Sequence, residues 1–465
     1  MSAGLKIDFA RMPLLILLAA EGLVLFSSIY VATSLRIGAD AMVASVPGPQ
    51  APRAIAVTLV ILLSLYSMGL YHFHQRVYFH EVFVRVVVAL ALGTLGLMSI
   101  YYFVPSLRIS PAIGAISVFY SLTLLLLARL IFMRQADDSM FRRKILIYGA
   151  GERAAAIADL KRSADRRGFQ IVGRVPAPGD TVGEKVQTLA SNDQPLLDLA
   201  IETGADEIVV AMDDRRGNLP ERQLLDCKLR GIEVVDLLEF LERETGKIHT
   251  DVVHRGWLIF SPGFRIGRWR RYSKRVFDLI VSLLILTVMW PVLFLVALAI
   301  KWEDGLRAPV FYRQYRIGLH GDPIRVIKFR SMRVDAEAES EPVWTAKHDD
   351  RITRLGRLLR KFRIDEFPQL FNVLMGQMSL VGPRPERPLL VDELSKRIAF
   401  YPERHTVKPG ITGWAQVRYP YAASEADVIQ KLQYDLFYVK NHGLLFDITI
   451  ILQTVEVIFW SKGAR

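Results

Sequence analysis

Four long apolar stretches fill the first third of the chain and alternate with short segments that carry prolines or charges. The stretches cover residues 12–33, 55–71, 82–104 and 113–133. Each approaches the roughly 20 apolar residues that a helix needs to cross the hydrocarbon core of a bilayer. The first is too long for the core of a signal peptide, so we interpret it as a membrane anchor. The pattern predicts a bundle of four transmembrane helices within residues 1–140.

Basic residues stand at both ends of this predicted bundle. Lys6 and Arg11 precede the first apolar stretch, and Arg142 and Arg143 follow the fourth. Lysine and arginine concentrate on the cytoplasmic side of membrane proteins. We therefore expect both ends of the bundle to face the cytoplasm.

After the bundle the pattern changes to short apolar runs that alternate with helical stretches. The four runs that indicate β-strands are 144–148, 169–175, 207–212 and 232–237. Strands that alternate with helices in this way are typical of a parallel sheet. We expect a Rossmann-like α/β domain at residues 141–250.

A glycine-containing turn follows the first of these strands. Gly149, Gly151 and Ala154 have the spacing of a dinucleotide-binding turn, in which amides at a helix N-terminus meet phosphate. The second strand of such a site ends near an acidic residue that binds the ribose, yet Gly173 and Arg174 stand there. We expect a structural or regulatory domain that needs no redox cofactor; a working NAD site is the alternative.

The second half of the chain begins with a basic linker at 251–273 and a further apolar stretch at 276–300. That stretch is long enough to span a membrane, but basic residues flank it on both sides. Pro291 near its middle removes an intrahelical hydrogen bond. The residues alone allow two interpretations of this stretch. One is a re-entrant helix with a structural break at Pro291, and the other is a kinked fifth transmembrane helix.

Composition narrows the function classes. Hydrophobic residues make up 51% of the 465-residue chain, and the formal net charge is +12. Nucleic acid, anionic lipid and phosphorylated compounds are candidate partners of so basic a chain. The single cysteine, Cys227, excludes an internal disulfide framework and a zinc site built from cysteines.

Residues that can carry chemistry crowd into four clusters, which are 312–318, 328–332, 350–369 and 378–386. In the third cluster Leu355, Leu358, Leu359 and Phe362 recur at the spacing of one helix face, with basic residues around them. This pattern predicts a basic amphipathic helix, which suits the boundary between membrane and water.

An acidic pair, Asp365 and Glu366, follows that helix. Neighbouring helical positions point about 100° apart, so the two carboxylates can take separate roles, one as nucleophile and one as base or metal ligand. Prolines on both sides of Arg384 stiffen a loop whose guanidinium can grip phosphate. Phosphoryl transfer needs mainly positioning and neutralised charge. The candidate phosphate-binding cations are Lys328, Arg330, Arg360 and Arg384.

These motifs resemble the catalytic domain of the bacterial polyprenyl-phosphate sugar-1-phosphate transferases, which start exopolysaccharide, capsule and O-antigen assembly. The segments that carry the resemblance are 328–332, 353–360, 365–369, 382–385 and 409–413. The whole chain looks like the large members of that family. The resemblance implies a membrane α-helical bundle, a Rossmann-like α/β domain, and a mainly α, membrane-associated catalytic domain at 274–465 with a re-entrant helix at 276–300.

The resemblance also implies a mechanism. Asp365 would attack the β-phosphate of a UDP-sugar and form a covalent sugar-phosphoryl intermediate as UMP leaves, and undecaprenyl phosphate would then attack that intermediate. Mg²⁺ would sit beside Asp365 and Glu366, and Arg360 and Arg384 match phosphate-binding positions. UDP-glucose and UDP-galactose are the donors that we favour.

The partners implied are UDP-sugar, undecaprenyl phosphate and membrane lipid, with no nucleic acid. The bundle and the middle domain offer surfaces for a homodimer. The protein would be a multi-pass protein of the bacterial inner membrane, with its catalytic domain on the cytoplasmic face.

Two other classes of protein combine membrane segments with such a chain. A membrane-anchored nucleotide-sugar dehydratase or epimerase needs a catalytic Tyr-x-x-x-Lys, and no tyrosine of this chain has a lysine four residues later. A non-catalytic lipid-binding scaffold would account for the charge and the apolar segments, but it would not require Asp365, Glu366 and the phosphate-type arginines together.

Overall fold

A computed structural model describes most of the chain. The described residues are 12–37, 50–71, 79–135, 142–160, 165–166, 168–180, 194–215, 218–253, 261, 263–264, 267–333, 351–419 and 424–459. The chain divides into two compact units, Met1–Phe240 and Leu241–Arg465. Lys6, Arg11 and parts of the basic linker lie outside the described residues.

The first unit begins with four apolar helices, α1 (Met12–Ile37), α2 (Gln50–Ser67), α3 (Phe79–Phe103) and α4 (Pro111–Gln135). Each contains a stretch long and apolar enough to cross a membrane, which confirms the four apolar helices that the sequence predicts. Helix α1 packs against α2 and α4, and α2 packs against α3. Large apolar side chains such as Leu23 and Leu59 stay exposed on the outer faces. Exposed apolar surface of this kind is typical of a membrane-facing bundle.

A four-stranded sheet follows the bundle in the same unit. Its strands are β1 (Arg143–Tyr148), β2 (Phe169–Val175), β3 (Glu207–Val210) and β4 (Glu233–Asp236). All neighbouring strands are parallel, in the order β2-β1-β3-β4. The intervening helices are α5 (Glu152–Ala158), α6 (Leu196–Glu202) and α7 (Glu221–Leu229), and α8 (Leu237–Thr245) follows β4. The four predicted strands are confirmed, and Cys227 is buried in the core beneath them.

The second unit contains a fifth helix that is long and apolar enough to span a membrane, α9 (Arg268–Asp304). The chain stays helical through Pro291, so this proline lies inside one helix and does not end it. Apolar side chains in the middle of α9, including Leu284, Val288 and Leu295, are exposed.

The rest of the second unit wraps short elements around a common core. A hairpin is formed by the antiparallel strands β5 (Phe311–Ile317) and β6 (Pro323–Phe329). The later elements are α10 (Arg354–Lys361), α11 (Gln369–Leu374), β7 (Ser379–Val381), α12 (Pro388–Arg397), β8 (Gly410–Thr412), α13 (Trp414–Arg418), α14 (Glu425–Asn441) and α15 (Leu444–Phe459). Strand β7 pairs with β8 in parallel. Val326, Val373 and Val381 meet in the core and fix β6, α11 and β7 relative to one another.

Candidate active site

The acidic pair lies on a short 3₁₀ turn, Ile364–Glu366, directly after α10. Arg363 precedes the turn with a left-handed backbone (φ 56°), which ends α10 and changes the direction of the chain. Asp365 and Glu366 are both buried. Burial of two adjacent carboxylates is costly unless cations or hydrogen bonds compensate them, so their partners decide what they can do.

Glu366 is surrounded by cations. Its Oε1 accepts hydrogen bonds from Arg384 Nη2 at 2.9 Å and from Lys328 Nζ at 3.3 Å. Arg363 Nε lies 3.6 Å from Oε2. Burial by itself raises the pKa of Glu366, but Arg384, Lys328 and Arg363 together outweigh burial and hold that pKa well below its usual range. The lowered pKa favours the ionised form of Glu366, which binds Arg384 and Lys328.

Asp365 has a different environment. Within the described part of the chain its carboxylate accepts no hydrogen bond and forms no ion pair. Burial and then the Glu366 charge raise the pKa of Asp365 above its ordinary value, although Lys328, Arg360 and Arg384 lower it in part. A buried carboxylate that is short of partners and has a shifted pKa is a candidate functional group. The two carboxylates thus differ in their partners and in the direction of their pKa shifts, which is compatible with separate chemical roles.

Arg384 lies on the loop that follows β7. Besides its bond to Glu366, its Nη1 donates to Gln416 Oε1 at 3.4 Å. A shallow recess adjoins it, and the lining residues are Arg316, Val326, Lys328, Gln369, Arg384, Pro385 and Gly410. Three of these seven residues are cations, so the recess suits a phosphorylated ligand.

The structure brings some of the predicted cations to the acidic pair and directs another elsewhere. Lys328 and Arg384 contact Glu366, and Arg360 is close enough to lower the pKa of Asp365. The Nε of Arg360 donates to Ser331 Oγ at 3.0 Å, which ties α10 to the end of β6. Arg330 Nε instead donates to the carbonyl of Pro309 at 3.1 Å, and no described contact joins Arg330 to the acidic pair.

Helix α10 has the amphipathic pattern that the sequence predicts. Leu359 is buried, and Leu355 packs into the same cluster. Leu358 and Phe362 point away from that cluster and stay about half exposed, at 51% and 48%. The helix thus presents apolar side chains both to the core and to the surroundings, as a helix at a membrane boundary does.

A divalent cation is compatible with the acidic pair but would rely on the substrate for ligands. Among the described residues there is no group of three or more histidine, cysteine, aspartate and glutamate side chains that could hold a metal ion. Mg²⁺ is commonly held by one or two carboxylates together with substrate phosphates. The open carboxylate of Asp365 beside Glu366 fits that kind of site.

Sequence reasoning missed a buried pair behind the site. Arg404 and Asp435 form an ion pair at 2.7 Å and are almost fully buried. They stand 31 positions apart, on the 3₁₀ turn Pro402–Thr406 and on α14. Arginine is mostly exposed in proteins, and no pattern of neighbouring residues marks Arg404 as buried. The sequence around Arg404 therefore does not predict its pairing with Asp435.

The glycine turn after β1 is occupied by the chain's own carboxylates. The amides of Glu152 and Arg153, at the start of α5, donate to Asp213 at 3.1 and 2.9 Å. The amide of Ala150 donates to Asp180 at 2.7 Å. A Cβ on Gly151 would lie 1.8 Å from Asp213 Oδ2, so the absence of a side chain at Gly151 lets the carboxylate reach the amides. These are the amides that would meet phosphate in a dinucleotide site.

Similarity to known proteins covers this site and much of the remaining chain. Residues 269–461 match the family described as bacterial sugar transferase. The UDP-N-acetylgalactosamine-undecaprenyl-phosphate N-acetylgalactosaminephosphotransferase of Aeromonas hydrophila is 38% identical over 248 residues, 53% of this chain and 56% of that protein. The undecaprenyl-phosphate glucose phosphotransferase of Komagataeibacter xylinus is 33% identical over 69% of this chain and 60% of its own length.

The UDP-glucose:undecaprenyl-phosphate glucose-1-phosphate transferase of Escherichia coli K12 is 33% identical, over 69% of each chain. A match of this length extends well beyond the segment that carries the acidic pair. The chain spans 56% and 60% of the length of the Aeromonas and Komagataeibacter relatives. It belongs to the bacterial sugar transferase family.

Proposed function

We propose that this protein transfers a sugar 1-phosphate from a UDP-sugar to undecaprenyl phosphate. The relatives named above have undecaprenyl phosphate in their names, with glucose or N-acetylgalactosamine as the sugar. The observation that carries the proposal is the contrast within the acidic pair. Glu366 is neutralised by Arg384 and Lys328, whereas Asp365 keeps an open carboxylate beside the same cations.

The reaction has two displacements at the β-phosphorus of the donor. An oxygen of Asp365 attacks this phosphorus, the bond to the bridging oxygen breaks, and UMP leaves with that oxygen and its electron pair. The product is an aspartyl phosphosugar. A phosphate oxygen of undecaprenyl phosphate then attacks the same phosphorus, which releases the Asp365 carboxylate and forms undecaprenyl diphosphate-sugar.

The cations supply the electrostatic part of the catalysis. Arg384 and Lys328 line the recess and would neutralise the charge on the diphosphate, with Arg360 on the side of Asp365. Mg²⁺, when bound, would add positive charge beside the diphosphate, and Asp365 with Glu366 are the residues that would hold it.

Substitution of Asp365 tests this proposal. Asp365→Asn keeps the size of the side chain and removes the nucleophilic oxygen, so turnover should fall on the order of 10⁴-fold or more. The matched control is Asp392→Asn, because Asp392 is exposed on α12. The assay is UMP release from a panel of UDP-glucose, UDP-galactose and UDP-N-acetylgalactosamine, in membranes with undecaprenyl phosphate.

The intermediate has a test of its own. Without undecaprenyl phosphate, wild-type protein should release a burst of UMP equal to the amount of enzyme, and Asp365→Asn should release none. Near-normal activity of Asp365→Asn would refute the role of this residue. A wild type that releases UMP only when both substrates are present would refute the covalent route.

We also propose that α9 is a re-entrant membrane helix. Near its start, Asp278 accepts a hydrogen bond from the amide of Leu380 on β7. At its end, Glu303 accepts hydrogen bonds from the amides of Arg354 and Leu355, which begin α10. Both ends of α9 therefore bind one compact unit, while its middle exposes apolar side chains. A helix that crossed the membrane would need its two ends on opposite sides.

For the sheet domain we propose a role without a dinucleotide. A pyrophosphate would need the amides of Glu152 and Arg153, which already donate to Asp213. Displacing a carboxylate from such a position costs its charge-assisted hydrogen bonds.

A further inference from the structure

The loop that carries Arg384 is held through its backbone carbonyls. The carbonyl of Pro383 accepts a hydrogen bond from the amide of Gly410 at 2.9 Å, and that of Glu386 accepts one from the amide of Ile317 at 2.9 Å. Between them, the carbonyl of Arg384 itself accepts a bond from Arg404 Nη2 at 3.2 Å. The carbonyl of Arg384 and a carbonyl on each side of it therefore each accept a hydrogen bond, from Arg404, from β8 and from β5.

Arg404 is the buried member of this group and the one side chain that bonds directly to the carbonyl of Arg384 within the described residues. The same Nη2 donates to Asp435 Oδ2 at 2.7 Å, and Nη1 donates to the hydroxyl of Tyr401 at 2.8 Å. Arg404 and Asp435 are only 5% and 2% exposed. A planar guanidinium with fixed partners on two nitrogens has little freedom left, so its bond to the loop carbonyl has a defined direction.

The arrangement is poorly explained by stability alone. A buried ion pair often contributes no more than an apolar pair of similar volume, because both ions lose their hydration. Within the part of the chain that the structure describes, the Nε of Arg404 is buried without an acceptor, which adds a further cost. The pair does provide a fixed hydrogen-bond donor for the backbone carbonyl of Arg384.

We propose that Arg404, held by Asp435, is a positioning residue that sets the direction of the Arg384 guanidinium in the active site. The inference rests on the proposed function, in which Arg384 neutralises the diphosphate of the donor. Release of the Arg384 carbonyl lets its peptide plane rotate, and the guanidinium then moves relative to Glu366 and the recess. A displacement of about 1 Å in a catalytic group can cost on the order of 100-fold in rate.

The test measures the rate constant of the UMP burst in full-length protein in membranes. Arg404→Lys keeps the positive charge beside Asp435 but lacks the fork that reaches the carbonyl. It should lower the burst rate by about 10- to 100-fold. The matched control is Arg397→Ala, which removes an exposed ion pair with Glu393 on α12 and should leave the burst rate unchanged.

A second variant separates positioning from stability. Arg404→Leu, Asp435→Leu and Tyr401→Phe together remove the three buried polar side-chain groups, so that of the bonds made by Arg404 only the one to the carbonyl of Arg384 loses its donor and keeps its acceptor. This triple variant should keep a melting temperature near that of the wild type and still lose the burst rate to the same extent. If the triple variant is folded and reacts at the wild-type rate, the proposal is overturned.

A double variant shows whether Arg404 affects the burst rate through Arg384 or through the structure of the domain as a whole. In an Arg384→Ala background, Arg404→Lys should change the burst rate by less than about twofold, because the residue it positions is gone. A full, multiplicative loss in that background would overturn the proposal and leave the function intact. Unchanged activity of Arg384→Ala alone would refute the role of Arg384 and the proposal with it, whereas an inactive Asp365→Asn would still support the nucleophile.

Discussion

Two neighbouring carboxylates in this protein differ because of the side chains around them. Lys328, 38 positions before Glu366, and Arg384, 18 positions after it, both bond to Glu366 Oε1. Asp365 takes no part in those bonds and has a raised pKa, chiefly because it is buried. A difference in environment of this kind is how two carboxylates in one site come to take different chemical roles.

Gly356 on α10 is a position where the absence of a Cβ atom determines how the helix packs beside the site. A Cβ there would lie 2.0 Å from the carbonyl oxygen of Ser331. Alanine favours a helix over glycine by about 1 kcal/mol, but a contact this short with backbone cannot be relieved by a rotamer change. Gly356→Ala should therefore push α10 away from Ser331, break the bond from Arg360 to Ser331 and lower UMP release by at least tenfold.

Gly114 in α4 provides the matched control for that substitution, because it is also helical and a Cβ there would meet nothing within 4 Å. Gly114→Ala should leave UMP release and the melting temperature unchanged or slightly improved. If Gly356→Ala were equally harmless, then the packing of α10 on Ser331 would not position Arg360.

Helix α5 and the turn before it illustrate how a local motif changes meaning in its surroundings. The turn has the glycine spacing of a phosphate-binding element, yet Asp213, 61 positions after Glu152, supplies the negative charge. Acceptors for the first amides of a helix stabilise it, and a carboxylate also interacts favourably with the helix dipole. The motif in this chain therefore fastens α5 to the end of β3.

Removal of the Asp213 carboxylate should loosen this domain. Asp213→Ala leaves the amides of Glu152 and Arg153 without their acceptors, at a cost of about 1 kcal/mol. Cys227 is the only cysteine and is buried in the same unit, so its reaction with a maleimide reports opening of that unit. The midpoint temperature of Cys227 labelling should fall by a few degrees.

Glu202→Ala, at an exposed position on α6, should leave that labelling midpoint unchanged. NAD(P) at millimolar concentration should not raise the labelling midpoint of the wild type. A dinucleotide that bound the folded domain would stabilise it and would raise this midpoint. A clear upward shift with NAD(P) would contradict a domain without a dinucleotide.

The course of the whole chain relative to the membrane depends on α9. A straight helix of 37 residues would be about 55 Å long, well beyond the roughly 30 Å of a bilayer core, and Pro291 inside α9 favours a kink. Its first turns are tied to β7 through Lys274 and Asp278, and its last turn to α10 through Glu303. If those ties hold in the membrane, the chain must return to the face from which it entered.

Single cysteines at both ends of α9 test that topology. In a Cys227→Ala background, Arg271→Cys and Leu306→Cys place thiols at exposed positions before and after the apolar part. In intact spheroplasts both thiols should be shielded from an impermeant maleimide, and both should react after permeabilisation. Ser106→Cys, between α3 and α4, should react from outside and shows that the reagent is active. External labelling of Leu306→Cys would establish a true crossing.

The sequence alone determined the features that depend on neighbours along the chain. The lengths of the apolar stretches predicted the five apolar helices, and alternating short runs predicted the four strands, since period and composition are local properties. The motif around Asp365 and Glu366 is by itself enough to indicate the family.

Only the tertiary structure decided which carboxylate is open, what fills the glycine turn and what holds Arg384. Each answer is a contact between residues far apart in the chain: Lys328 with Glu366, Arg153 with Asp213, and Arg404 with Asp435. Electrostatic and hydrogen-bond energies depend on distance in space, and sequence spacing does not report that distance for residues on different elements.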